Sequence, residues 1–394
     1  MRESGAGAVT WSAAYDAAGV ARQRGLQSAL EEAGVRASMV HDAPAVAPDD
    51  TAAARSTDGG RGYRAFPPYA ANWSAQPRAV VRAPVPLAAH GLRAQALPAA
   101  QDFGSRPLAA DETPSEAREA NALAAYVAGP ALQYSTARNV PASEPTSRLS
   151  AALSFGTIAA RSVLAAIDER SADPFLLTEE RSSLRTLVRA LAQRDFFLQL
   201  GWFFEDRPDV ALQSRMRRFP FAAEHPALDA WREGKTGYPF VDAGIRQLHA
   251  SGWMHPRARL VAASFLCFDL GVDWRVGRDV WDDQLVEDEP ALASGNWQWV
   301  AGVGADLAQF PRIYNPRKQA RAFDPSGTFA RRWIPELVDA PVQDILATPP
   351  ASPPPQLSLP LFRRSCYPAP VLDHEAAARD FLQRYAAFFD PVRR

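Results

Sequence analysis

Six of the ten tryptophans fall between residues 234 and 337, interleaved with arginine. The run reads GKTGYPFVDAGIRQLHASGWMHPRARLVAASFLCFDLGVDW, then GNWQWVAG, FPRIYNP, FDPSG and RRWIPEL. Trp is costly to bury because its N–H then needs a partner, so most soluble domains use it sparingly. Indole faces alternating with guanidinium groups suit holding a flat, conjugated ligand close to a polyanion. Further upstream, Thr146-Ser147-Arg148-Leu149-Ser150 offers hydroxyls and backbone N–H groups ahead of a helix expected to begin near Ala151. That placement favours an anion through free amides and the helix dipole. On these five residues alone, Thr146 or Ser147 reads first as an ordinary N-cap.

Elements that must position these groups are legible along the chain. GAVTW reads as a strand, Ala21–Ala33 as an amphipathic helix and VRASMV as a second strand. Residues 42–62 read as a loop, followed by a packed aromatic segment, GYRAFPPYAANW. Pro77, Pro84, Pro86, Pro98 and Pro107 mark 75–111 as a linker. Thr113-Pro114-Ser115-Glu116 is a capping-box arrangement, after which helical periods continue to about residue 345. The Pro-rich TPPASPPP (348–355) then precedes a last helix, His374–Phe388. The division is 1–74, a partial α/β unit; 75–111, a linker; and 112–394, a helical domain.

The 394 residues suffice for one large core or two domains. Hydrophobic content of 47% and charged content of 22% exclude overall disorder. No apolar run approaches a membrane span, and the start lacks the layout of a secretory signal. Cys267 and Cys366 have no metal-ligand spacing around them, so no metal and a reduced, cytoplasmic setting are expected. A net charge of −1 gives no global attraction to DNA, leaving any phosphate contact to local patches. Of the 43 cationic residues only Lys235 and Lys318 are Lys. That bias fits bidentate phosphate contacts, and a GC-rich genome explains it at least as well.

Taken in order, these motifs resemble the flavin-binding region of the photolyase/cryptochrome family, with roughly the last two-thirds of the chain taking part. The resemblance implies a mainly α, photolyase-type FAD-binding domain preceded by a partial Rossmann-like antenna remnant. AFPPY (65–69) is similar to the family segment that closes the antenna domain. FAD is the implied cofactor, with no antenna chromophore assignable. Its phosphates would lie at Thr146, Ser147, Arg148, Leu149 and Ser150, with Tyr134, Arg194, Trp253, His255, Arg259, Glu287, Glu289 and Ala293 around it. Arg259 is expected to pair with an acid of Glu287-Asp288-Glu289, where the family has two Asp, one held to the Arg and one facing the flavin ring. Trp297 and Trp274 match the inner and middle members of the family's outward Trp relay. The outer position falls on Phe221, which cannot carry a hole at comparable energy, and Trp231 or Tyr238 are the available substitutes. Arg138, Gln193, Arg257, Trp299 and Arg312 fall on the implied DNA face.

Departures from the family pattern bear on the chemistry. Members carry about a further hundred residues before this start, and one β-α-β unit cannot cover both faces of a parallel sheet. The remnant therefore either docks on the helical part or belongs to a longer reading frame. Pro256 and Ala293 stand where the family usually has Asn, one reaching flavin and substrate, the other beside the flavin N5. Ala190 replaces Glu, Gln193 replaces Trp, and Leu260 replaces Met. Losing one stacking wall costs on the order of 1–3 kcal/mol per base, and the lost carboxylate removes a hydrogen bond. The His-His pattern of the (6-4) enzymes is replaced by His255-Pro256. The expectation is a monomeric enzyme that repairs pyrimidine dimers in DNA by electron transfer from reduced, blue-light-excited flavin, acting on a single flipped-out dimer. The alternatives are a cryptochrome-like photoreceptor, a degenerate flavin-binding protein without repair activity, or a helical protein without cofactor. Slow or incomplete photoreduction is expected from the missing outer Trp.

Overall fold

The structure, a computed structural model, describes residues 6–52, 61–78, 80, 81, 96, 102, 114–143, 146–204, 209–287, 289–305, 310–347 and 367–390. Most of the linker 75–111, all of 348–355, Thr113, Asp288 and Cys366 lie outside them. Strand β1 (Ala8–Ser12) pairs in parallel with β2 (Arg36–Val40), in register Ala8↔Arg36 to Ser12↔Val40. The crossover helix is Ala17–Glu32, capped by the Asp16 carboxylate on the Gly19 N–H. It starts four residues before the expected Ala21 because that cap sets its first turn. Neither strand has a fully buried residue, as expected of a sheet too small to be covered on both faces.

This unit docks on the helical part. The contact is made by the long helix Thr178–Phe203, whose glutamates 179 and 180 complement the dipole in its first turn. Its burial widens from a stripe (Leu184, Leu187, Leu191) to a continuous run, Arg194–Gln199, where the N-terminal unit covers it. Asp195 Oδ2 accepts the N–H groups of Ala45 and Val46 and the Trp73 indole at 2.9, 3.1 and 2.9 Å. Gln199 bonds both the N–H and the carbonyl of Tyr63, and Arg161 donates to the His41 carbonyl. The aromatic segment 62–73 forms a helix, Phe66–Ala75, with Tyr69 and Trp73 completely buried.

The second core is built on the helices Pro239–Ser251, Pro256–Ser264 and Trp274–Asp282. The helix predicted from Pro256 to about Asp269 is α-helical to Ser264 and finishes in a π-helical turn, Phe265–Asp269. Two other expectations need correction. The helix predicted from the Thr113 cap begins at Glu116, because Ser115 accepts the Arg118 N–H and takes the cap. The helix after Thr146–Ser150 is only Ser150–Ser154. Five residues align too few peptide dipoles for the anion-binding helix end expected there. Among the described residues no helix is long and apolar enough to cross a membrane.

Candidate functional site

Three short segments from distant parts of the chain are knitted together. The first is 146–150, where Arg148 has a φ of 54°, the only positive φ outside glycine among the described residues. That turn puts the Arg148 guanidinium 4.5 Å from the centre of the Trp253 ring. The second is 253–259. Gly252, at φ 64°, ends the helix Pro239–Ser251, and its carbonyl accepts the Val286 N–H. A Cβ there would meet Val286 at 2.6 Å, so the third segment, the acidic loop, can approach only a glycine. Arg259 pairs with Glu287 at 2.5 Å and donates to the Met254 carbonyl at 2.8 Å. Glu287 in turn accepts the Ser150 hydroxyl at 3.2 Å.

His255 sits at the middle of this knit and is completely buried. Its Nδ1 accepts the Arg257 N–H at 3.1 Å, and its own N–H donates to Gln247 at 2.9 Å. Burial, with Arg257, Arg259 and Arg148 nearby, pushes its pKa down to about 3. The ring is therefore neutral at pH 7, with its proton on Nε2. That Nε2 and the Thr146 hydroxyl are buried without a hydrogen-bond partner. A buried polar atom left unpaired costs about 1–3 kcal/mol, so both mark places where a polar ligand would be stabilised.

Two of the expected cofactor contacts meet other protein groups. Arg194 does not present a free guanidinium to a cofactor: it donates to the carbonyls of Ala43 and Leu153 and lies 3.6 Å from Asp195. It acts as a staple for the docked N-terminal unit. Glu289, expected to face the flavin ring, has a carboxylate oxygen 3.8 Å from Arg194. Ala293 lies on the helix Pro290–Val300, its N–H taken by the Glu289 carbonyl. Tyr134 is half-buried, with Arg138 5.9 Å from its ring.

On the expected DNA face, Arg312 lies 4.9 Å from the Trp299 ring, and Arg138 and Gln193 are exposed. Arg257 is half-buried over Phe323 at 4.4 Å and donates to Asn139 at 2.7 Å. Of the relay residues, Trp297 and Trp274 are both buried, and Phe221 packs on Phe219 at 4.8 Å. The ring that meets Trp297 is Trp281, with centroids 4.4 Å apart. Sequence reasoning missed Trp281, Gln247 and Asn139. Trp281 could have been found, since it stands seven residues after Trp274 and so shares its helical face.

Comparison with known proteins gives a consistent picture. A family model described as the FAD binding domain of DNA photolyase matches residues 187–387. The chain is 33% identical over 386 residues to a deoxyribodipyrimidine photo-lyase of Halobacterium salinarum, covering 96% of this chain and 78% of the relative. It is 33% identical over 393 residues to the enzyme of that name from Synechococcus sp., covering 96% and 77%. Among solved structures, a bacterial class III photolyase from Agrobacterium tumefaciens aligns with a TM-score of 0.85 and 30% identity, over 98% of this chain and 80% of that one.

Proposed function

The chain belongs to the photolyase/cryptochrome family, and on that premise we propose that it holds FAD in the knit of 146–150, 253–259 and Glu287. It is an FAD-dependent deoxyribodipyrimidine photo-lyase whose partner is damaged DNA. The observation that carries the cofactor's placement is the pair of buried, unpartnered groups, Thr146 Oγ1 and His255 Nε2.

Thr146, Ser150, His255, Arg259 and Glu287 would hold FAD, which in its reduced, light-excited form would supply the electron that opens the cyclobutane ring of a pyrimidine dimer. The residues do the rest. The ion pair of Arg259 and Glu287, tied to the Ser150 hydroxyl, fixes the 146–150 turn against the loop. Neutral His255 offers an N–H donor without adding charge, which suits a ligand whose own charge changes with its redox state. Trp253, with Arg148 lying over it, covers the knit with an apolar face and keeps water from the site.

Arg138, Arg257 and Arg312 are the phosphate-gripping groups on this reading, and Trp299 is the stacking wall for a single dimer flipped out of the duplex by a monomeric enzyme. The opposite wall is Gln193, whose amide stacks poorly. Gln193→Trp is therefore expected to tighten the Kd for an irradiated oligonucleotide by roughly 1–3 kcal/mol. An unchanged Kd would mean that this side chain does not face the lesion. The reading as a whole is tested by light-dependent repair of a dimer-containing oligonucleotide by the FAD-loaded protein. Flavin binding without repair in light would remove the enzymatic part and leave a flavoprotein of another function.

A further inference from the structure

Arg257 is held by a different kind of partner from several other inward-turned arginines. Arg194, Arg246, Arg259 and Arg278 each approach a carboxylate, at 3.6, 2.6, 2.5 and 2.6 Å. Arg257 is half-buried as well, yet the groups around its guanidinium are neutral. Its Nη2 donates to Asn139 Oδ1 at 2.7 Å and its Nη1 to Gln319 Oε1 at 3.5 Å. The Phe323 ring lies under it, with 4.4 Å between ring centre and guanidinium carbon. Among the described residues no carboxylate pairs with it, and its Nε is buried without a partner. Burial lowers its pKa, Tyr314 opposes this, and the like charge of Arg138 adds to it. An arginine stays charged at pH 7 all the same.

The cradle is drawn from three segments. Asn139 follows the short helix Tyr134–Ala137, and Arg257 is the second residue of the helix Pro256–Ser264. Gln319 and Phe323 stand four residues apart, on one face of the helix Pro316–Phe323. Arg257 and Arg259 are about 200° apart around their helix. With Arg259 on Glu287, Arg257 is turned away from the proposed cofactor knit. Arginine only donates, so Asn139 must face it with Oδ1 and not with its NH2 group.

We propose that Asn139 is a positioning residue for DNA: it sets the direction of the Arg257 guanidinium without neutralising it, leaving the full charge for a phosphate of the damaged strand. The proposal rests on the reading that Arg257 grips DNA. A carboxylate at 139 would hold the guanidinium firmly and satisfy its charge inside the protein. A neutral amide fixes the direction and keeps the charge, while Phe323 fixes the plane. Holding an unpaired charge half-buried beside Arg138 is unfavourable, and an arriving phosphate offsets that cost.

Binding of an irradiated, dimer-containing oligonucleotide to the FAD-loaded protein, measured in the dark over a range of salt concentrations, tests this. Arg257→Ala should weaken binding and reduce the slope of log Kd against log salt by about 0.9, the share of one phosphate. Asn139→Ala should weaken binding roughly tenfold in the wild-type background and hardly at all in the Arg257→Ala background. Equal losses in both backgrounds would show that Asn139 does not act through Arg257, and overturn the proposal. Asn139→Asp keeps an acceptor for the guanidinium, so it guards against a folding defect in the Ala variant. It should reduce the slope by nearly as much as Arg257→Ala does, with weaker binding. Binding by Asn139→Asp as tight and as salt-dependent as in the wild type would also overturn the proposal, because neutrality at 139 would then not matter. An unchanged slope in Arg257→Ala removes Arg257 from the DNA contact and the proposal with it. Because the binding is measured without light, these results answer for the Arg257 contact separately from whether the wild type repairs the lesion.

Discussion

Asp195→Ala should lower the unfolding free energy by about 3–5 kcal/mol, the cost of breaking a buried, hydrogen-bonded charge pair. Asp195 is 1% exposed, and one of its oxygens holds three donors from the N-terminal unit. Removing it leaves the N–H groups of Ala45, Val46 and Trp73 unpaired in the interior and takes the nearest carboxylate from Arg194. The N-terminal unit has little burial of its own, so its release should appear as early proteolysis within residues 6–75 during urea unfolding. Asp195→Asn retains an acceptor for the three donors and should cost much less. A loss below about 1 kcal/mol for the Ala variant would mean that docking does not depend on this carboxylate.

The same residue gives stability a pH slope. Burial raises its pKa from 3.8 to about 6, against the lowering effects of Arg194 and its hydrogen bonds. Between those values the folded protein binds a proton that the unfolded chain has released. Stability contributed by this group is thus full below 3.8 and declines as pH rises through about 6. Asp269, beside His374, is raised by burial to about 6 and adds to the same slope. Asp195→Asn should flatten it, as urea titrations at several pH values would show.

Arg259→Ala should weaken FAD binding by about 3 kcal/mol, roughly a hundredfold in Kd. The substitution leaves Glu287, only 13% exposed at its side chain, with the Ser150 hydroxyl as its remaining partner among the described residues. The 146–150 turn then loses its anchor to the loop. Glu287→Ala should act in the same direction, and the double variant should cost less than the sum of the two, because the two side chains act as one unit. Flavin fluorescence on titration gives the Kd. Wild-type affinity in Arg259→Ala would remove the knit from the cofactor site.

Local features were legible in the sequence because they rest on neighbours. Pro256 in the first helical turn, the end of that helix at Asp269 and the last helix from His374 all follow from periodicity and caps. The Arg259 pair was legible from the motif order. Asp195 was not, since it sits in RALAQRDFFLQL, where a charge on a helix reads as solvent-facing. Its partners at Ala45 and Trp73 are more than a hundred residues away, and no periodicity reports that distance. The bond from Arg194 to the Ala43 carbonyl was hidden for the same reason, because Ala43 lies in the docked unit. The 3.8 Å approach of Glu289 to Arg194 was hidden with it. The short helix Ser150–Ser154 shows a different limit: hydroxyls ahead of an apolar run signal a helix start and say nothing of its length.

Hydrogen exchange of the protein with and without FAD addresses the cofactor's placement most directly. The account predicts that FAD slows exchange of the backbone amides in 146–154 and 253–264 together. Tight flavin binding that protects neither segment, with protection appearing elsewhere in the chain, would contradict it.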